Sequence, residues 1–271
     1  MNFTDKIVST IKSRRSALCV GLDVDLGKFP DILKNEKDPI AKFNKEIIAA
    51  TQEYVASYKP NLAFYEQFGT SGISDFEKTL SYIDDDVFVI ADAKRGDIGN
   101  TSKKYATAFF DQYNCDAVTV SPYMGEDSIG PFLDREDKGV FILVLTSNKG
   151  SNDFQMMKLE NGKYLYEHVI ETINKWNVKK NCGIVVGATH PQMFENIRKM
   201  TPDMPYLIPG IGAQGGDLEN TVKYGFDKER VLALVNSSRG IIYASSGSDF
   251  AERAAEEAKK LRDKINELIG L

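Results

Sequence analysis

Asp92, Lys94 and Asp97 stand in the run Phe88–Thr101, F-V-I-A-D-A-K-R-G-D-I-G-N-T, where an apolar segment passes straight into opposite charges. An ammonium group flanked by acids is favoured in its charged form, because opposite charges within a few ångströms stabilise each other. Such a lysine can serve as a fixed positive charge or as a general acid. Val87–Ala91 is short, apolar and β-branched, the pattern of a fully buried strand, and the charges follow at its end. Side chains two apart on a strand share a face, which predicts Asp92 and Lys94 side by side with Ala93 turned away. Gly96 and Gly99 then allow a sharp turn that brings Asp97 and Ile98 out on a loop.

A second chemical signature lies late in the chain. The run from Gly210 to Gly216, G-I-G-A-Q-G-G, can present bare backbone N–H groups from residues such as Gly212, and a helix predicted to begin near Asp217 aims its positive end at the same place. In N-S-S-R-G, Arg239 adds a planar guanidinium suited to a bidentate grip on an oxyanion. Together they predict a phosphate site.

The elements that must position these groups alternate. Apolar runs at Ala17–Asp23, Ala56–Asn61, Val87–Ala91, Asp116–Val120, Val140–Leu145, Gly183–Val186, Tyr206–Ile208 and Val231–Val235 read as eight strands. Helical patterns separate them, including Pro39–Val55 with Asp38 as cap, Thr101–Tyr113 and Tyr164–Trp176; Phe250–Leu268 closes the chain. A short helix, Asp5–Arg15, precedes them with Thr4 as its cap. With no linker rich in Pro, Ser or charge, residues 1–271 are expected to form a single (β/α)8 TIM barrel domain. A doubly wound open sheet is the competing architecture, but no G-x-G-x-x-G follows the first strand.

Barrels of this kind carry their sites at the C-terminal ends of the strands. Here those ends hold Asp23, Lys59 with Asn61, Asp92 with Lys94, Thr146 with Ser147, Gln214 and Arg239. A net charge of −5 over 271 residues offers no global field for nucleic acid or an anionic membrane, so an anionic ligand needs this local positive site. No stretch is long and apolar enough to span a bilayer, and the first residues lack an apolar leader core, so a cytoplasmic protein is expected. Cys19, Cys115 and Cys182 sit in or beside apolar runs without metal-ligand spacing, and are expected as buried free thiols. His168 reads as a surface or packing residue, His190 as a strand-end residue that no step requires, and Asp84–Asp86 as a solvated loop.

D-A-K-R-G-D-I-G-N-T combined with P-G-I-G-A-Q-G-G-D, S-S-R and an early G-L-D resembles the orotidine 5′-phosphate decarboxylase family, in its longer bacterial subfamily, type 2. The resemblance runs from Gly21 to Arg239. It implies decarboxylation of orotidine 5′-phosphate (OMP) to UMP, without cofactor or metal, in a homodimer. It also implies Lys94 as proton donor to C6 and Asp92 beside the departing carboxylate, with Lys59 completing an alternating array. Asp97, Ile98 and Thr101 would reach into the neighbouring subunit's site. Asp23 and Lys59 would bind the ribose hydroxyls with Asn61 close by, Thr146 and Ser147 would meet the pyrimidine, and Gln214 and Arg239 would hold phosphate. Hexulose-phosphate synthases and keto-gulonate phosphate decarboxylases share D-x-K-x-x-D but use Mg2+ to stabilise an enediolate, which makes metal dependence the discriminating property.

Overall fold

A computed structural model of the chain describes residues 1–189, 191–211, 217–227, 229 and 231–271, with Pro191 described in its backbone alone. Eight strands form one closed parallel sheet: β1 (Leu18–Leu22), β2 (Ser57–Pro60), β3 (Phe88–Arg95), β4 (Ala117–Val120), β5 (Gly139–Leu145), β6 (Cys182–Val186), β7 (Tyr206–Pro209) and β8 (Ala233–Ser237). Each pairs with its sequence neighbour, and β1 closes the ring on β8 through Leu18↔Val235 and Cys19↔Asn236. Strands buried on both faces explain the unbroken apolar runs, because a helix covers the outside while side chains fill the inside. The expected (β/α)8 barrel is therefore the observed architecture.

The N-terminal helix, Phe3–Arg14, covers the end of the barrel where the strands begin. Phe3 is fully buried, and its ring packs on those of Phe88 and Phe141 at centroid distances of 6.0 and 5.6 Å. Lys6 pairs with Asp116 beside it. The cap of this helix is Asn2, whose side chain accepts from the Asp5 amide at 2.9 Å, and not Thr4. Thr4 lies inside the first turn and donates its hydroxyl to the Lys180 carbonyl at 3.0 Å. Asp38 likewise precedes the helix Pro39–Thr51 without capping it, because its carboxylate pairs with Lys78 at 3.0 Å.

Two strand boundaries differ from the periodicity in instructive ways. β8 begins at Ala233, two residues later than the apolar run, because Val231 takes a left-handed turn with φ 57°. β3 continues to Arg95 through the charged residues, but only across an irregularity in its pairing with β4. His168 is exposed, Ile170 and Ile173 are buried, and the three cysteines are buried and unpaired. Burial pushes the thiol of each cysteine up to about 12. Among the described residues no helix is long and apolar enough to cross a membrane.

Candidate active site

A cavity of about 630 Å³ opens at the C-terminal ends of the strands, within the size range of nucleotide and cofactor sites. Asp23, Lys59, Asn61, Asp92, Lys94, Thr146, Ser147 and Arg239 all line it, so eight predicted residues from five strand ends converge on one space. Gly212, Gln214 and His190 lie outside the described residues.

The centre of the cavity is an alternating row of charges. Lys59 Nζ donates to Asp92 Oδ2 at 2.7 Å, and Lys94 Nζ donates to Asp92 Oδ1 at 2.5 Å. Asp23 Oδ1 lies 4.0 Å from Lys59 Nζ. Side-chain exposure is graded along the row, from 5% for Lys59 and 9% for Asp92 to 48% for Lys94. The buried pair is thus the foundation, and the Lys94 ammonium faces the open cavity.

Electrostatics fix the charge states of that foundation. Burial is the strongest single influence on Asp92 and favours its protonated form. The attraction of Lys59 and Lys94, with their hydrogen bonds, together outweighs it and holds the carboxyl far below its ordinary 3.8. Burial likewise opposes the charge on Lys59, but Asp92 and Asp23 prevail and raise its proton affinity above the ordinary lysine value of 10.5. Both groups therefore stay ionised from mildly acid to mildly alkaline pH.

The scaffold holds each member from outside the cavity. Tyr65 Oη donates to the Leu22 carbonyl at 3.2 Å and Tyr243 Oη to the Asp23 carbonyl at 3.1 Å, which fixes the end of β1. Among the described residues Asp23 Oδ1 is buried without accepting a hydrogen bond, so it is available to a ligand hydroxyl. The loop after β5 is pinned by Gln155, whose Oε1 accepts from the Thr146 amide at 2.8 Å. This loop contains a short helix, Ser151–Phe154. A side chain at Gly187 would strike Ser147, so glycine is what lets the turns after β5 and β6 close on each other.

Asp97, Ile98 and Thr101 are absent from the lining of their own chain's cavity, and Ile98 is 61% exposed. Several lining residues carried no separate prediction: Thr119, Asn148, Gln155, Asn236 and Ser238. Thr119 and Asn236 left a trace, being polar residues within or ending buried strands, A-V-T-V and A-L-V-N-S. Gln155 left none, because only the folding of its loop brings it to the cavity.

Residues 16–254 match the model of the family described as "Orotidine 5'-phosphate decarboxylase / HUMPS family". The orotidine 5′-phosphate decarboxylase of Flavobacterium johnsoniae is 51% identical over 269 residues, covering 98% of each chain. That of Porphyromonas gingivalis is 52% identical over 262 residues, covering 96% of this chain and 95% of the relative. Among solved structures, Leishmania donovani OMP decarboxylase superposes with a TM-score of 0.86 at 38% identity, each chain fully covered.

Proposed function

The chain belongs to the orotidine 5′-phosphate decarboxylase family, and on that premise we propose how its cavity turns OMP into UMP and CO2 in pyrimidine biosynthesis. The observation that carries the mechanism is the Lys59–Asp92–Lys94 row, with its outer ammonium exposed to the cavity. Loss of CO2 leaves an electron pair in an sp2 orbital at C6, where the ring cannot delocalise it. Fixed charge must stabilise it instead. Lys94, the exposed end of the row, supplies that charge and then transfers a proton from Nζ to C6, replacing the lost carboxylate. Asp92, ionised and buried at its side, faces the substrate carboxylate and repels it until CO2 departs.

The other residues bind and orient. Asp23 and Lys59 receive the ribose hydroxyls with Asn61 beside them, Thr146 and Ser147 border the pyrimidine, and Arg239 with the Gly212–Gln214 segment holds phosphate. Phosphate lies far from the reacting carbon, so its binding energy serves to close a water-poor site around the ring. The reaction is tested by following the ultraviolet change on OMP loss with purified protein in excess EDTA. Full turnover is expected; activity restored only by Mg2+ would move the chain to the metal-dependent branch of the family.

Asp97, Ile98 and Thr101 leave their own cavity and complete that of a second copy, making the homodimer the active unit. Mixing provides the check. Lys94→Ala and Asp97→Ala proteins are each expected to be nearly inactive, and exchanged dimers should regain activity, because one site then has its own Lys94 and an intact Asp97 from the other copy. If Asp97 served its own chain, every site in the mixture would keep one defect and no activity would return.

A further inference from the structure

We propose that Thr119, on β4, is a positioning residue that sets the distance and angle at which Lys94 meets its substrate. This inference rests on Lys94 being the proton donor. β3 pairs with β4 at Ala91↔Val118 and again at Arg95↔Val120. Between those pairs β3 carries Asp92, Ala93 and Lys94 against Thr119 alone. The ladder is interrupted there, and its backbone groups need other partners.

One hydroxyl fills the gap in both directions. The Lys94 amide donates to Thr119 Oγ1 at 3.0 Å, and Thr119 Oγ1 donates to Asp92 Oδ1 at 2.9 Å. The same Asp92 oxygen receives Lys94 Nζ at 2.5 Å. Thr119 is 1% exposed, so neither bond is shared with bulk solvent. Among the described residues Lys94 is one of five other than glycine with a positive φ, 47°, a left-handed conformation sparsely populated by residues with a side chain. That conformation makes the lysine's side chain fold back onto the acid two residues earlier, so Asp92 and Lys94 meet through a kinked bulge and not through simple strand alternation. Thr119 holds the bulge at its amide and the acid at its carboxylate, and thereby couples the two.

Thr119 touches no reacting atom in this scheme, so its loss should impair turnover and leave nucleotide binding nearly intact. Thr119→Val keeps the shape and removes both hydrogen bonds; a fall in kcat of about 10- to 100-fold is expected, the range for a hydrogen bond to a charged group. The Kd for UMP should stay within about threefold of the parent by the same reasoning, since the sugar and phosphate contacts are untouched. Thr119→Ser restores the hydroxyl and should recover most of the kcat. Thr119→Ala, compared with Thr119→Ser, decides the matter if the valine protein does not fold. The proposal fails if a folded variant lacking the hydroxyl keeps kcat within about threefold, if serine is no better than valine or alanine, or if kcat and UMP affinity fall together. A parallel Lys94→Ala protein separates the two levels. An active Lys94→Ala overturns the proton-donor premise, whereas an inactive one beside a normal Thr119→Val overturns only the role of Thr119.

Discussion

Replacing Lys94 by alanine is expected to lower kcat by about 10,000-fold or more while UMP still binds. Two contributions disappear together. A positioned general acid contributes about 100- to 10,000-fold, and a preorganised charge at the developing anion about as much again as an oxyanion-hole donor, 100- to 1,000-fold. At about 1.4 kcal/mol per tenfold, a 10,000-fold loss corresponds to roughly 5–6 kcal/mol of transition-state stabilisation. Binding survives because Lys94 is the exposed end of the row, and its removal leaves the buried Lys59–Asp92 pair in place. Steady-state turnover of OMP and calorimetric titration with UMP check the two halves. Equal losses in both would make Lys94 a binding residue.

Asp92→Asn has the next largest effect, and it acts on stability as well as rate. Asp92 is the partner of an ammonium whose side chain is only 5% exposed, and breaking a buried pair costs about 3–5 kcal/mol because one charge remains uncompensated. Asp23, 4.0 Å from Lys59, softens the loss toward about 3 kcal/mol, or roughly 6–10 °C in Tm. The pH dependence has a definite sign. The folded-state pKa of Asp92 is depressed, so its contribution is fully present above the unfolded value of 3.8 and is lost as pH falls below it. The stability gap between parent and Asp92→Asn should therefore be the same at about pH 5 and pH 8, and shrink only in stronger acid. Turnover should fall with the displaced Lys94. Removing the repulsion should also raise the affinity for OMP relative to UMP by at least several-fold, because a like-charge contact at about 4 Å costs about 1 kcal/mol even in water and about 4 kcal/mol near a protein surface. A gap that widens on acidification, or an unchanged OMP to UMP affinity ratio, would contradict this placement of Asp92.

The barrel was legible in the chain because a closed parallel sheet buries every strand on both faces, leaving apolar runs spaced by amphipathic helices. The site was legible for the same reason: polar residues at the ends of such runs, Asp23, Lys59, Asp92 and Thr146 among them, have nowhere to point but the mouth of the barrel. What periodicity hid was local. Alternation predicted that Asp92 and Lys94 would meet but not how, since they do so through a left-handed turn at Lys94 and an irregular β3–β4 pairing bridged by Thr119, remote in sequence. Caps were misread where a side chain had a better tertiary partner, as with Asp38 and Lys78. Gln155 was invisible because nothing in its neighbours reveals that its amide will hold Thr146.

The distance from Lys94 Nζ to pyrimidine C6 in a structure of the protein with UMP bound is the most direct measurement. Proton delivery by Lys94 requires about 3–3.5 Å, with Nζ near the plane of the ring where the electron pair forms. A ring seated in the same cavity with C6 more than about 5 Å from Nζ, or turned toward the loop after β5, would contradict it.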